Sequence, residues 1–195
     1  IHGAPTISRL VAKGSWQGGG VDSDETCGPV GKFCTIRCML AIGAAMGLEM
    51  HQMDVKTAVL NGDLEVEIYM DQPPGFVREG RSDLVCKLRK TLYGLKQSSR
   101  AWYVQIHIFF TKEGFIRSHA DHSLYIKQTG AYFMAVVVYV DDLIILASDM
   151  AMMNELKAKL EEEYDMSDLG ELHFFLGVHI ERDRAARTVT MHQGS

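Results

Sequence analysis

The sequence predicts an α+β fold, an antiparallel sheet of the ferredoxin-like split βαβ kind with its connecting helices on one face. Three observations predict it. Apolar residues recur at helical spacing in separate stretches. Two almost wholly apolar runs, "YFMAVVVYV" and "LIILA", are separated only by Asp141 and Asp142, which leaves room for a hairpin and nothing longer. From Glu49 onward the elements read strand, helix, strand hairpin, helix, strand.

Each element has its own signal. Val30 to Met46 places Phe33, Ile36, Met39, Leu40 and Ile42–Gly43 near helical spacing, and Gly47 stops the run. Leu48 to Val55 alternates and reads as a strand ending at Asp54. "GSWQGGG" (14–20) is a flexible loop and "QPPGF" (72–76) a rigid turn. A helix follows Gln97, with Ser98 and Ser99 as cap candidates. Its apolar stripe is Trp102, Tyr103, Ile106, Phe109 and Phe110, and Gly114 ends it. Tyr132 to Val140 and Leu143 to Ala147 form the hairpin, with Asp141–Asp142 expected at its tip. Asp149 to Met166 is an acidic amphipathic helix, and "LHFFLGVHIERD" and "RTVTMHQ" read as a final strand pair.

Composition narrows the function classes. The chain has 195 residues, 47% of them hydrophobic, enough for a real core. It has no apolar run long enough for a transmembrane helix, and "IHGAPTISRL" is not a secretion signal. The four cysteines form no CxxC pair, and His119 and His122 lack the second ligand pair that a zinc site needs, so the cysteines read as reduced thiols. The net charge is −5, but it is divided unevenly. The local balance is +6 over 78–117 and −9 over 141–183. That division suits one wall for a polyanion and one solvated face, or two amphipathic surfaces with chance bias.

Adjacent carboxylates between two buried strands are costly unless something positive neutralises them. Asp54, at another strand end, is expected on the sheet beside the hairpin. Three converging carboxylates would make an oxygen site for a hard cation such as Mg²⁺. Two such ions clamp the attacking and leaving oxygens in phosphoryl transfer. The alternative is an ordinary exposed Asp-Asp turn.

"HQMDVKTAVLNGDLEVEIYMDQPPGF", "VCKLRKTLYGLKQSSRAWY", "YVDDLIILAS" and "DLGELHFFLGVHIERD" together resemble the reverse transcriptase of copia-type LTR retrotransposons, and "RLVAKG…VDSDETCGPVGKF" resembles the segment just upstream. The resemblance runs from about Arg9 to the C-terminus. It implies a polymerase palm with partial fingers: 1–29 and 62–97 fingers, 30–61 and 98–195 palm through the primer grip. Thumb, connection and RNase H regions would be absent from the chain.

The resemblance also implies roles. Asp54, Asp141 and Asp142 match the catalytic aspartates, with the Val55 carbonyl as a further metal ligand. Asp141 would be the firmer ligand and Asp142 the supporting one. Two Mg²⁺ ions are implied, with Mn²⁺ as a substitute. Arg9, Lys13, Val59, Tyr93, Gly94 and Lys96 match nucleotide-binding positions. Tyr139 and Val140 lie beside the primer end, and Phe175, Leu176 and Gly177 look like the primer-grip turn. The plainer alternatives are that Lys96 and Arg100 are helix-start surface charges, and that Tyr93, Phe175 and Leu176 are core residues. Partners would be an RNA or DNA template with its primer, dNTPs, and the thumb, RNase H and integrase parts of the Pol polyprotein. No membrane is implied, and the parent element's virus-like particles would be cytoplasmic.

Two departures stand out. Val59 replaces the family's usual aromatic, which in related polymerases excludes a 2′-hydroxyl. Ser99 replaces a proline and so loses a rigid φ. The activity implied is template-directed DNA synthesis. The alternatives are a folded but inactive remnant, or another two-metal enzyme on a palm-like sheet.

Overall fold

The computed structural model describes residues 10–14, 28–64 and 66–193. In chain order the elements are α1 (Phe33–Met46), β1 (Glu49–Val55), a 3-10 turn (Ala58–Asn61), β2 (Tyr69–Asp71), β3 (Val85–Lys87) and α2 (Ser98–Lys112). Then come β4 (Ile116–Arg117), β5 (Leu124–Thr129), β6 (Tyr132–Tyr139), β7 (Asp142–Ala147) and α3 (Met150–Glu163). The chain closes with β8 (Met166–Glu171), β9 (Phe174–Phe175), β10 (Val178–Asp183) and β11 (Thr188–His192). This is a mixed α and β protein with antiparallel sheets.

The chain divides into two compact units, 1–28 with 59–105 and 29–58 with 106–195. In the first, β2 and β3 form a two-stranded sheet. Gln72 ties its loop: Nε2 donates to the carbonyls of Arg81 and Leu84, and Oε1 accepts from Arg78 N. Thr91, itself buried, donates its hydroxyl to the carbonyl of Val59. Where Gly62 stands, a side chain would collide with Ala101 and Thr91.

The second unit carries a six-stranded sheet in the order β4-β5-β6-β7-β1-β8, every neighbouring pair antiparallel. β6 and β7 read as near-continuous Val, Ile and Leu because both faces are covered. On one face Met50, Ala135, Val137, Ile144 and Leu146 pack with Ile36, Met39, Leu40 and Ala44 of α1 and with Leu172, Phe175 and Ile180. On the other, Tyr125 stacks on Phe110 of α2, Phe109 of α2 meets Tyr164 at the end of α3, and Lys157 of α3 reaches His51 of β1. α2 and α3 therefore share a face, and α1 lies on the opposite one.

The caps explain the helix limits. α1 starts at Phe33 rather than Val30, because Asp121 caps it from a distant loop. Its Oδ2 accepts from Lys32 N at 2.9 Å and from the Thr35 hydroxyl at 2.6 Å. Gly47, at φ +70, ends the helix in the left-handed region. α3 is capped by the Asp149 side chain, which accepts from Ala151 N and Met152 N. Ser98, a cap candidate, instead donates its hydroxyl to the Leu92 carbonyl at 2.6 Å.

Three expectations are corrected. The hairpin tip is Val140–Asp141, because Asp142 already pairs with Tyr139 as the first residue of β7. The acidic helix ends at Glu163 rather than Met166, because Met166 opens β8, which pairs with β1 on the side away from β7 and whose polar sequence "MSDLGE" carries no alternating apolar signal. The expected final strand pair forms, but with β9 it makes a separate three-stranded sheet, order β11-β10-β9. β4 and β5 also extend the main sheet beyond the split βαβ elements.

Candidate active site

One row crosses the middle of the large sheet at the hairpin end. Tyr139 on β6 pairs with Asp142 on β7, Asp142 with Asp54 on β1, and Asp54 with Ser167 on β8. Residues directly opposite share a face, with Cβ atoms about 5 Å apart. The row lies on the face that α1 covers, because Met50 and Gln52 alternate onto it with Asp54. The site is half-buried: Asp54, Asp141, Asp142 and Tyr139 are all of intermediate exposure.

Two like charges directly opposite repel. Burial raises the Asp142 carboxyl above its ordinary range, a hydrogen bond from Gln52 opposes that, and the Asp54 charge adds to the rise. The Gln52 bond is direct, Nε2 to Asp142 Oδ1 at 2.9 Å. No cation is among these influences on Asp142 within the described residues.

Asp141 joins the site through its backbone, its carbonyl accepting from Val55 N at 2.8 Å. That bond fastens the turn to the end of β1. Val140, in the same turn, has φ +53. A β-branched residue in the left-handed region is strained by about 1–2 kcal/mol. Strain of this kind collects at functional sites. Of the three aspartates, the ladder register brings Asp54 and Asp142 together, and Asp141 stands one residue away in the turn. Among the described residues no three acidic, histidine or cysteine side chains cluster to hold an ion.

The two-carboxylate pair does fit Mg²⁺ chemically. That ion binds through one or two protein carboxylates and fills its remaining positions with water and phosphate oxygens. A cation between Asp54 and Asp142 would also relieve the repulsion that raises Asp142.

The remaining sequence-predicted residues fall as follows. Val55 is buried at the end of β1. Phe175 is 2% exposed and meets the Tyr139 ring edge to face at 6.1 Å, so its place is in the core. Leu176 and Gly177, at φ +50 and +79, are the two-residue turn between β9 and β10. Val59 is 7% exposed in the 3-10 turn. Tyr93 is half-buried, and Lys13 and Lys96 are exposed. Gly94 has φ +91, and a methyl group there would lie 2.0 Å from the Ala12 carbonyl oxygen. Ala12 N also donates to Tyr93 O at 2.7 Å. Gly94 is thus the seat of the 10–14 segment within the first unit. Arg9 lies outside the described residues.

Two residues escaped the sequence reading. Gln52 was legible, because it stands two residues before Asp54 and must share its face. Asp121 was not, because its role depends on α1, far away in sequence.

Comparison with known proteins decides the family. The model of the family "Reverse transcriptase (RNA-dependent DNA polymerase)" matches residues 4–194. The chain belongs to that family. It is 42% identical, over 95% of its length, to the retrovirus-related Pol polyprotein from transposon TNT 1-94 of Nicotiana tabacum. It is 42% identical, over 90%, to that from transposon RE1 of Arabidopsis thaliana. A putative transposon Ty5-1 protein of Saccharomyces cerevisiae is 41% identical over 66% of the chain and 42% of its own length. The matched stretches are 14% and 12% of the tobacco and Arabidopsis polyproteins, so this reverse transcriptase chain spans a small part of such proteins. No solved structure matches it. The copia-type resemblance therefore stands. No helix among the described residues of this family member is long and apolar enough to cross a membrane.

Proposed function

We propose that the chain forms the fingers and palm of a retrotransposon reverse transcriptase, adding deoxynucleotides to a primer on an RNA or DNA template. The carrying observation is the cross-strand pair Asp54–Asp142, placed at a hairpin turn that is hydrogen-bonded to the end of β1. The strand order β8-β1-β7-β6, connected through α2 and α3, supports a ferredoxin-like palm. The unit containing β2 and β3 is read as fingers, and the unit containing the large sheet as palm.

In this reading the primer 3′-hydroxyl attacks the α-phosphorus of a dNTP and pyrophosphate leaves. Mg²⁺, when bound, polarises the hydroxyl and neutralises charge on the phosphates. The chain's own contribution is placement. Asp54 and Asp142 present carboxylate oxygens from two adjacent strands, and Asp141 lies in the turn beside them. Packing of Tyr139 on Phe175 sets the Leu176–Gly177 turn next to the same row, where a primer end would lie. Template, primer, dNTPs and the other Pol segments are the partners, within the parent element's cytoplasmic particles.

The test is primer extension by this chain on poly(rA)/oligo(dT) with Mg²⁺. Extension lost in Asp54→Asn and in Asp141→Asn supports the reading. Equal extension by wild type and both variants refutes it. A folded chain that binds Mg²⁺ but extends nothing is an inactive remnant.

A further inference from the structure

A pair of directly opposed carboxylates can share an ion only if each turns an oxygen toward it. Nothing in the Asp54–Asp142 register enforces that, and their repulsion works against it. Gln52 supplies a constraint. It shares the face of Asp54, its direct cross-strand partner is Ile144, and it reaches diagonally to Asp142. An ionised carboxylate only accepts, so the Gln52 nitrogen is the group that faces Oδ1.

The ladder beside Gln52 is also irregular. Gln52 pairs with Gly170 and Met53 with Asp168, leaving Leu169 as the extra residue of a bulge in β8. Gly170 adopts φ +74 there. Asp168 Oδ1 accepts from Gly170 N at 2.8 Å and from Lys157 Nζ at 2.7 Å. Lys157 is buried and also meets His51 Nδ1 at 2.7 Å. The bulge is thereby fastened to α3 at the strand position where Gln52 stands. Bulges beside active sites re-aim neighbouring side chains.

We propose that Gln52 is a positioning residue for Asp142. Its amide holds one carboxylate oxygen, so that the other stays turned toward the cation shared with Asp54. The inference rests on the reading of Asp54 and Asp142 as cation ligands, and its experiment separates the two.

Mn²⁺ affinity is measured by the loss of the free-ion EPR signal for wild type, Asp54→Asn, Asp142→Asn and Gln52→Met. Far-UV circular dichroism checks that each variant is folded. The expected result is binding by wild type, loss of binding in both Asp variants, and a Kd raised roughly tenfold in Gln52→Met, the lower end for residues that orient metal ligands. Wild-type affinity in Gln52→Met, with both Asp variants impaired, overturns this inference alone. Unchanged affinity in both Asp variants overturns the site reading and this inference together. A measurement on wild type avoids any folding defect of the variant: the Gln52 side-chain amide resonance should move on Mg²⁺ addition, with the Kd of the site. A resonance that stays still through saturation also overturns the proposal.

Discussion

Replacing Asp142 by asparagine should stabilise the metal-free protein. The wild type holds two carboxylates as direct cross-strand partners, one of them with its carboxyl raised by burial, opposed by Gln52, and raised further by Asp54. Charges about 6 Å apart repel by about 0.7 kcal/mol at a dielectric of 80 and about 2.8 kcal/mol at 20. Half-exposure places the true value toward the lower end, about 1 kcal/mol. Asparagine removes the repulsion and still offers an oxygen to Gln52. For a chain of this size about 1 kcal/mol raises Tm by about 2–4 °C. The assay is thermal unfolding by circular dichroism in EDTA at pH 7. The pH dependence has a definite sign. Asp142 binds its proton more readily folded than unfolded, so its destabilisation is full above the folded value. It declines as pH falls through that value and is gone below the ordinary 3.8. The Tm gap should therefore close on acidification. A variant melting at or below wild type at pH 7, or a gap that widens as pH falls, refutes the reasoning.

Other outcomes follow from single positions. Gly94→Ala forces a side chain into the Ala12 carbonyl at φ +91 and should cost about 2–3 kcal/mol through strain and a lost hydrogen bond, read as faster amide exchange at Ala12. Leu176→Asn places a residue that tolerates the left-handed region at φ +50 before Gly177, and should raise the urea midpoint by the equivalent of about 0.5–1 kcal/mol. If Val59 leaves room for a 2′-hydroxyl, Val59→Phe should improve discrimination of dNTP over rNTP in primer extension; equal ratios in both proteins would remove that idea.

Much of the site was legible because its signals are local. Two aspartates between apolar runs mark a hairpin, and the "HQMDV" alternation marks a strand end. What the sequence withheld was register. A two-residue turn can be placed one residue earlier without changing the apolar pattern, and that single step moves Asp142 from the tip into the ladder opposite Asp54. β8 was hidden because an edge strand with one polar face, a glycine and a bulge has no period-two signature. β9 was hidden within a run that also holds β10, where Leu176–Gly177 makes the turn without the usual Asn-Gly. Phe175 illustrates the reverse case. Its motif suggests a contact residue, yet its ring closes the core against Tyr139.

The most direct measurement is an anomalous difference map from crystals of this chain soaked in Mn²⁺. A peak within coordination distance of both the Asp54 and Asp142 carboxylates, about 2.2 Å, is the expected result. A fully occupied Mn²⁺ elsewhere in the molecule, with those two side chains turned apart and bound to nothing, would contradict it.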